Sequence, residues 1–143
     1  MEARAQAVVA TVPVGVGMPR AVAVNPATNR IYLAHCATWA GGGITVIDGG
    51  ANTTTAIPGG CPTSLAVNPV TNKVYMPGAV IDGATNSITT LAAGGGMVAV
   101  NPVTNKIYEA GGNGNVTVID GATNSIVTVT DPSANGLTAG AFA

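Results

Sequence analysis

The chain has few side chains that could do chemistry, and its single histidine is the first of them. His35 stands directly before Cys36, and the second cysteine is Cys61. A thiol beside an imidazole is the pair that nucleophilic catalysis uses, but a third group must also orient the base. A zinc site takes four ligands as a rule, more than one histidine and two cysteines supply. We therefore predict no catalytic residues, no metal site and no cofactor.

Aspartates recur at one position of a repeated sequence block. Asp48, Asp82 and Asp120 each precede a glycine. They could bind Ca²⁺ together only if they converged, whereas a repeat keeps them one structural unit apart. Aspartate before glycine favours a turn, because its side chain bonds to nearby backbone. We interpret these residues as turn-forming, and we interpret in the same way the asparagines that recur in a neighbouring block: Asn25, Asn29, Asn68, Asn72, Asn101 and Asn105.

The composition excludes two classes of partner. Charged residues make up 8% of the chain and the net charge is −1, against a usual charged share of about 25%. The 5 basic residues are scattered, so no patch matches a nucleic acid backbone. No amphipathic or polybasic stretch predicts membrane insertion. Weak charge repulsion favours association with copies or other proteins, and a surface made polar by Thr, Asn, Ser and Gly suits an extracellular β-protein.

Two sequence blocks alternate along the chain, three times each. The first reads "AVNPATNRIY" at Ala23–Tyr32, "AVNPVTNKVY" at Ala66–Tyr75 and "AVNPVTNKIY" at Ala99–Tyr108. The second is "VIDGGANTT", then "VIDGATNSI" twice. Each block places Asn-Pro or Asp-Gly between short β-branched runs, which is the signal of a hairpin. One repeat therefore supplies four short antiparallel strands.

Four strands in about 40–45 residues, repeated, are typical of the blades of a β-propeller. We predict an all-β chain that forms one partial propeller over residues 1–143. The predicted blades cover about 20–57, 63–91 and 97–130, and residues 7–13 match an outer strand that precedes the first blade.

The alternation of "AVNPxTNxIY" with "VxVIDGATNxI" resembles the YVTN-type β-propeller repeats of bacterial and archaeal surface or secreted proteins. The resemblance covers about 7–130. It implies a ring of blades and a secreted or cell-surface location, with any secretion signal outside this chain. Two features depart from the family: there are only about three repeats, and the second is short.

The short repeat still allows all four strands. It reads "KVYMPGAVID", and we predict a three-residue loop, Met76–Gly78, that pairs Tyr75 with Ala79. The corresponding pair of the third repeat is Tyr108 with Thr117, so each side chain keeps its face. The tyrosine of each repeat is predicted to pack between blades.

The stretch "AHCATWAGGG" at Ala34–Gly43 is the one place where the repeat is decorated. Loops on a rigid scaffold often carry function, so we treat Arg20, His35 and Trp39 as a candidate recognition surface. Loops between the second and third strands share a face with the turns that join blades. Cys36 and Cys61 are therefore expected to meet in a disulfide, the alternative being two free buried thiols.

An arc of three blades leaves two apolar flanks uncovered, and repeat units need neighbours that bury them. The favoured function is a non-catalytic, secreted or cell-surface module that binds or assembles, as a homo-oligomer or with other propeller blades, around an unknown ligand or protein. Residues 131–143 resemble the start of a further blade. The alternatives are a fragment of a propeller enzyme, lyase or lactonase-like, and a subunit of an extracellular filament or surface layer.

Overall fold

The computed structural model describes residues 7–15, 17–38, 41–111 and 114–130. These residues form strands and turns, and no helix occurs among them that is long and apolar enough to cross a membrane. The strands are β1 (Met18–Asn25), β2 (Arg30–Thr38), β3 (Gly41–Asp48), β4 (Thr53–Pro58), β5 (Ala66–Asn68), β6 (Lys73–Met76), β7 (Ala79–Asp82), β8 (Ile88–Thr90), β9 (Met97–Asn101), β10 (Lys106–Ala110), β11 (Asn115–Asp120) and β12 (Ile126–Thr130).

The strands make three separate antiparallel sheets of four. Each sheet takes its strands in sequence order, β1 to β4, β5 to β8 and β9 to β12, and we call these sheets the first, second and third blades. The hairpin after each Asn-Pro closes through an asparagine with positive φ, 52° at Asn29, 52° at Asn72 and 51° at Asn105, a conformation that asparagine tolerates. The predicted all-β arc of propeller blades is confirmed.

The apolar core lies between the blades. One cluster joins the first and second blades, and it comprises Tyr32, Ile44, Val46, Ile57, Val74, Met76, Ala79 and Ile81. A second cluster joins the second and third blades, and it comprises Tyr75, Val80, Leu91, Val98, Ile107 and Ile119. Tyr32 and Tyr75 thus pack between blades as predicted, whereas Tyr108 is only half-buried.

The short loop of the second blade contains one residue fewer than predicted. Met76 pairs with Ala79, and Tyr75 pairs with Val80 rather than with Ala79. Pro77 and Gly78 alone make the turn, because glycine supplies the positive φ of 74° that a tight turn after proline requires. Tyr108 likewise pairs with Val118, not with Thr117. Because both pairings shift together, the two blades keep the same register.

The decorated stretch is mostly strand rather than loop. His35 pairs with Gly43 and Cys36 pairs with Gly42, so β2 and β3 extend beyond the length of the other blades. The glycines of β3 allow the neighbouring backbone to approach closely. A Cβ at Gly42 would lie 2.3 Å from the carbonyl oxygen of Gly60, and one at Gly43 would lie 2.5 Å from that of Ile57. Trp39 lies outside the described residues.

The outer strand predicted at 7–13 is not formed, since residues 7–15 have no strand conformation. An outer strand pairs with the third strand of its own blade, and the described chain has no blade before β1 to supply one. Val8 and Val9 consequently remain exposed, at 87% and 96%. The predicted start of a further blade at 131–143 lies outside the described residues.

Candidate functional site

A line of asparagine pairs crosses from blade to blade. Nδ2 of Asn25 donates to Oδ1 of Asn72 at 2.9 Å, and Nδ2 of Asn68 donates to Oδ1 of Asn105 at 2.8 Å. Both donor residues are completely buried, where an unpaired amide would be costly. The sequence predicted only turns at these asparagines. Both asparagines recur once per repeat, and this periodicity was the signal that could have suggested a row of hydrogen bonds between blades.

The turn after each donor asparagine fixes the orientation of its side chain. Oδ1 of Asn25 accepts the backbone N–H of Ala27 at 3.1 Å, and Oδ1 of Asn68 accepts that of Val70 at 3.1 Å. Because the oxygen is occupied by its own turn, the Nδ2 group is left to point at the next blade. The Asn-Pro turn thus builds both the hairpin and the cross-blade bond.

A cation follows each hairpin and repeats the crossing. Arg30 donates through Nη1 to the carbonyl oxygen of Gly83, and Nζ of Lys73 donates to that of Gly121 at 3.2 Å. Lys106, at the same position of the third blade, instead pairs with Asp120 of its own blade at 2.5 Å. Lys106 thus bonds within its own blade, because the described residues include no following blade whose carbonyl oxygen it could reach.

Both ends of the arc expose positions that are buried inside it. We define the trailing flank as the face of the third blade formed by Asn101, Lys106, Tyr108 and Val118. Asn101 is exposed and Tyr108 and Val118 are half-buried, whereas Tyr75 is 0% exposed. The trailing flank is therefore an uncovered copy of the surface that the second blade buries against the third.

The opposite end carries the complementary positions. We define the leading flank as the face of the first blade formed by Asn29, Ile31, Ile47 and Gly49. Asn29 is exposed and the two isoleucines are half-buried. Their counterparts in the third blade are Ile107 and Ile119, which are both 0% exposed because they pack against the second blade.

The recurring aspartates act in turns, as the sequence predicted. Oδ1 of Asp82 accepts the backbone N–H groups of Ala84 and Thr85 at 2.9 and 3.0 Å, and these bonds lower the pKa of its carboxyl group. Asp48 makes the same bonds and its pKa is lowered in the same way. The ion pair with Lys106 and the turn bonds lower the pKa of Asp120 to about 2.

Glu109 is a buried acid that sequence reasoning missed. It is 1% exposed, and its carboxylate accepts the backbone N–H groups of Gly78 and Gly95, each at 3.2 Å. Burial raises its pKa, while the two hydrogen bonds act in the opposite direction. Glu109 of the third blade thus holds the tight turn of the second. The signal in the sequence was a lone acid directly after Tyr108, where the earlier blades have Leu33 and Met76.

The two cysteines form a disulfide where the first blade meets the linker to the second. The sulfur atoms of Cys36 and Cys61 are 2.03 Å apart and their Cα atoms 5.0 Å apart. Cys36 lies in β2, and Cys61 lies in the linker between β4 and β5. The bond therefore ties the long hairpin of the first blade to the chain that enters the second.

Two residues of the predicted recognition surface lie near this disulfide. Pro19 pairs with His35, and a register irregularity falls between Pro19 and Ala21, at Arg20. Arg20 is exposed and His35 is half-buried. Nδ1 of His35 is buried and has no hydrogen-bond partner among the described residues. Trp39, the third predicted member, lies outside those residues.

An open cleft beside the disulfide has a volume of about 270 Å³. Its lining includes no acidic side chain, amine or imidazole, and consists of Gly59, Gly60, Cys61, Pro62, Thr63, Met76, Pro77 and Ile88. In the described ranges no three His, Cys, Asp or Glu side chains gather where they could hold a metal ion.

Several solved structures are similar to this chain, and two of them are described as WD40 repeats or a β-propeller domain. The WD40 repeats of RRP9 superpose with a TM-score of 0.69 at 15% identity, over 85% of this chain and 41% of that one. The propeller domain of Cps50 (Swd1) from Myceliophteria thermophila gives 0.62 at 13%, over 84% and 41%. An auxiliary nutrient binding protein from Bacteroides ovatus gives 0.60 at 12%, over 81% and 32%.

These likenesses establish the propeller fold and nothing finer, because the identities are low. The chain spans about two-fifths of the length of the RRP9 and Cps50 structures that it matches. No family model matches the chain, and no curated protein matches it.

Proposed function

We propose that the chain is a non-catalytic β-propeller module that works by assembly, joining its open flanks to further blades and presenting the finished ring to a protein or other ligand. One observation carries this proposal. The trailing flank repeats the positions that form the interfaces inside the arc, and there Asn101 is exposed, whereas its counterparts Asn25 and Asn68 are 0% exposed.

The proposal also includes a family and a cellular location. The repeated "AVNPxTNxIY" and "VIDGATNxI" blocks support membership of the YVTN-type propellers, and with it a secreted or cell-surface location. The Cys36–Cys61 disulfide supports the same location, since such bonds persist in oxidising compartments. The exposed Arg20, near His35 and the disulfide, is a candidate recognition surface.

Light scattering across a range of protein concentrations tests the assembly. We expect a discrete species heavier than the 13.9 kDa of one chain, and a mass that rises with concentration before it levels off. A monomer at every concentration would refute the proposal, because the flanks would then be stable while exposed. Open-ended growth would instead support the filament alternative.

Thiol titration tests the location. Protein isolated from its own cells without reductant should have no reactive thiol until it is unfolded and reduced, and should then show the 2 cysteines of the sequence. Free thiols in freshly isolated protein would contradict a secreted or cell-surface place.

A further inference from the structure

The asparagine and cation side chains that bond across the interfaces all donate in the same direction. In each of the two interfaces the earlier blade supplies the donors, Asn25 and Arg30 in one and Asn68 and Lys73 in the other. The later blade supplies the acceptors, which are an asparagine Oδ1 and a glycine carbonyl oxygen. An arc built this way ends with donors at its trailing flank and acceptors at its leading flank.

The donor at the trailing flank is already in place. Oδ1 of Asn101 accepts the backbone N–H groups of Val103 and Thr104 at 3.0 and 3.2 Å. Oδ1 of Asn68 makes the same two turn bonds, to Val70 and Thr71. The turn therefore fixes the side chain of Asn101 as it fixes the buried Asn68, with Nδ2 aimed away from the third blade.

The acceptor at the leading flank is equally preformed. Asn29 has the backbone φ of 52° that Asn72 shares. Its Oδ1 lies against Gly49, where an added Cβ would be 2.5 Å away, and Oδ1 of Asn72 lies against Gly83, where the distance would be 2.4 Å. Asn29 thus holds its oxygen in the geometry that Asn72 uses to receive Asn25.

The apolar parts of the flanks match in the same sense. Tyr75 and Val80 of the second blade pack in one cluster with Ile107 and Ile119 of the third. On the trailing flank, Tyr108 and Val118 stand at the positions of Tyr75 and Val80. On the leading flank, Ile31 and Ile47 stand at those of Ile107 and Ile119.

We infer that the trailing flank of one copy binds the leading flank of a second copy, with Nδ2 of Asn101 donating to Oδ1 of Asn29 of that copy. Lys106 then exchanges Asp120 for the carbonyl oxygen of the other copy's Gly49. This inference rests on the proposed function, and it names the partner and the pairing.

Two copies complete the assembly. A head-to-tail contact closes into a ring when its rotation allows, and rings usually have about 4–8 blades. Counting the three blades that the structure describes, two copies give a ring of six, whereas three copies exceed that range. The leading and trailing flanks defined above are then covered in each copy.

Single substitutions at the two asparagines test the pairing. Asn101→Asp keeps the oxygen that accepts the turn bonds and replaces the outward donor with an acceptor. Asn29→Gly keeps the positive φ, which glycine adopts freely, and removes the acceptor. Each should raise the dissociation constant of the two-copy species at least about tenfold, which corresponds to about 1.4 kcal/mol. Asn52→Asp and Asn52→Gly are the controls, since Asn52 is exposed with φ of 57° and lies in another turn.

Mixing the two variants separates contact between copies from damage within one chain. An equimolar mixture of Asn101→Asp and Asn29→Gly retains one intact pairing, so the mixture should form the mixed two-copy species more tightly than either variant alone. A mixture no tighter than its components would overturn the inference, as would assembly that Asn101→Asp leaves unchanged; the proposed function would stand in both cases. A wild-type chain that never assembles would refute the proposed function itself.

Discussion

Nδ2 of Asn68 donates to Oδ1 of Asn105 at 2.8 Å and joins two blades across a buried interface. The bond spans 37 residues of sequence. Two side chains that each belong to an ordinary hairpin turn thus also hold neighbouring blades in register. The same repeated residues therefore specify both the hairpin and the contact between blades.

Asn68→Asp should destabilise the fold strongly. The substitution keeps the turn bonds of Oδ1 but sets a carboxylate against the oxygen of Asn105 in a site that is 0% exposed. An uncompensated buried charge costs about 3–5 kcal/mol, so we expect a loss of about 3 kcal/mol in the free energy of unfolding, measured by denaturant titration.

Asn101→Asp is the matched control for that substitution, because Asn101 occupies the same repeat position at an exposed site. At concentrations where the chain is monomeric, its unfolding free energy should change by less than about 0.5 kcal/mol, as is usual for surface positions. Equal losses of unfolding free energy at the two sites would contradict the conclusion that Asn68 stabilises the fold through its buried bond to Asn105.

Gly83→Ala should damage the same interface from the glycine side. A Cβ there would lie 2.4 Å from Oδ1 of Asn72 and 2.7 Å from its backbone oxygen. The asparagine must move, and its bond to Asn25 is lost with it. We expect a loss of about 2 kcal/mol in unfolding free energy, the order of a lost buried hydrogen bond plus overpacking.

Gly94→Ala is the control for Gly83→Ala, since a Cβ at Gly94 meets nothing within 4 Å. That variant should be neutral, or slightly more stable because the unfolded chain loses freedom. Thermal unfolding of both variants, monitored by circular dichroism, compares them. Similar losses for the two would indicate a general cost of replacing glycine rather than the contact with Asn72.

Much of the fold was readable in the sequence because its signals are local. Asn-Pro and Asp-Gly each specify a hairpin within about ten residues, and three copies in register left little choice of architecture. The pairing of Tyr75 was misjudged by one residue, since sequence alone does not tell a two-residue Pro-Gly turn from a three-residue loop.

The cross-blade contacts were not readable in the same way. Glu109 binds the backbone of Gly78, 31 residues away; the lone acid after Tyr108 marks an unusual position but does not identify a partner so distant in sequence. The outer strand predicted at 7–13 failed for a related reason: its residue types suit a strand, but pairing also requires a neighbouring strand, which the described residues do not provide.

Reduction of the Cys36–Cys61 disulfide should lower the stability of the fold. The bond closes a separation of 25 residues, and the chain-entropy model assigns such a loop roughly 3 kcal/mol. We expect a loss of that order when denaturant titrations are compared with and without a thiol reductant. A Cys36→Ser, Cys61→Ser double variant should be destabilised to the same extent and should not respond to reductant. A reductant effect that persists in the double variant would show that the reagent acts elsewhere.

Glu109→Gln should change how stability depends on pH. Burial raises the pKa of Glu109 above its usual value of 4.5, so the carboxyl group favours the folded state most below pH 4.5 and this contribution falls as the pH rises through the raised pKa. Glutamine cannot ionise. Relative to wild type, the variant should therefore gain unfolding free energy between about pH 4.5 and neutrality, measured by denaturant titration at each pH.

Two further variants make this prediction specific. Glu109→Leu removes both acceptors from the partly buried N–H groups of Gly78 and Gly95, and a lost hydrogen bond of this kind costs about 1 kcal/mol, so the variant should be less stable than wild type at every pH. Asp120→Asn should act in the opposite pH direction: the pKa of Asp120 is lowered to about 2, and its contribution to stability is present above about pH 4 and disappears as the pH falls towards 2. If Glu109→Gln instead follows the wild-type curve from pH 4 to 8, the carboxylate of Glu109 is not buried in the folded chain, and the link it makes between the second and third blades is wrong.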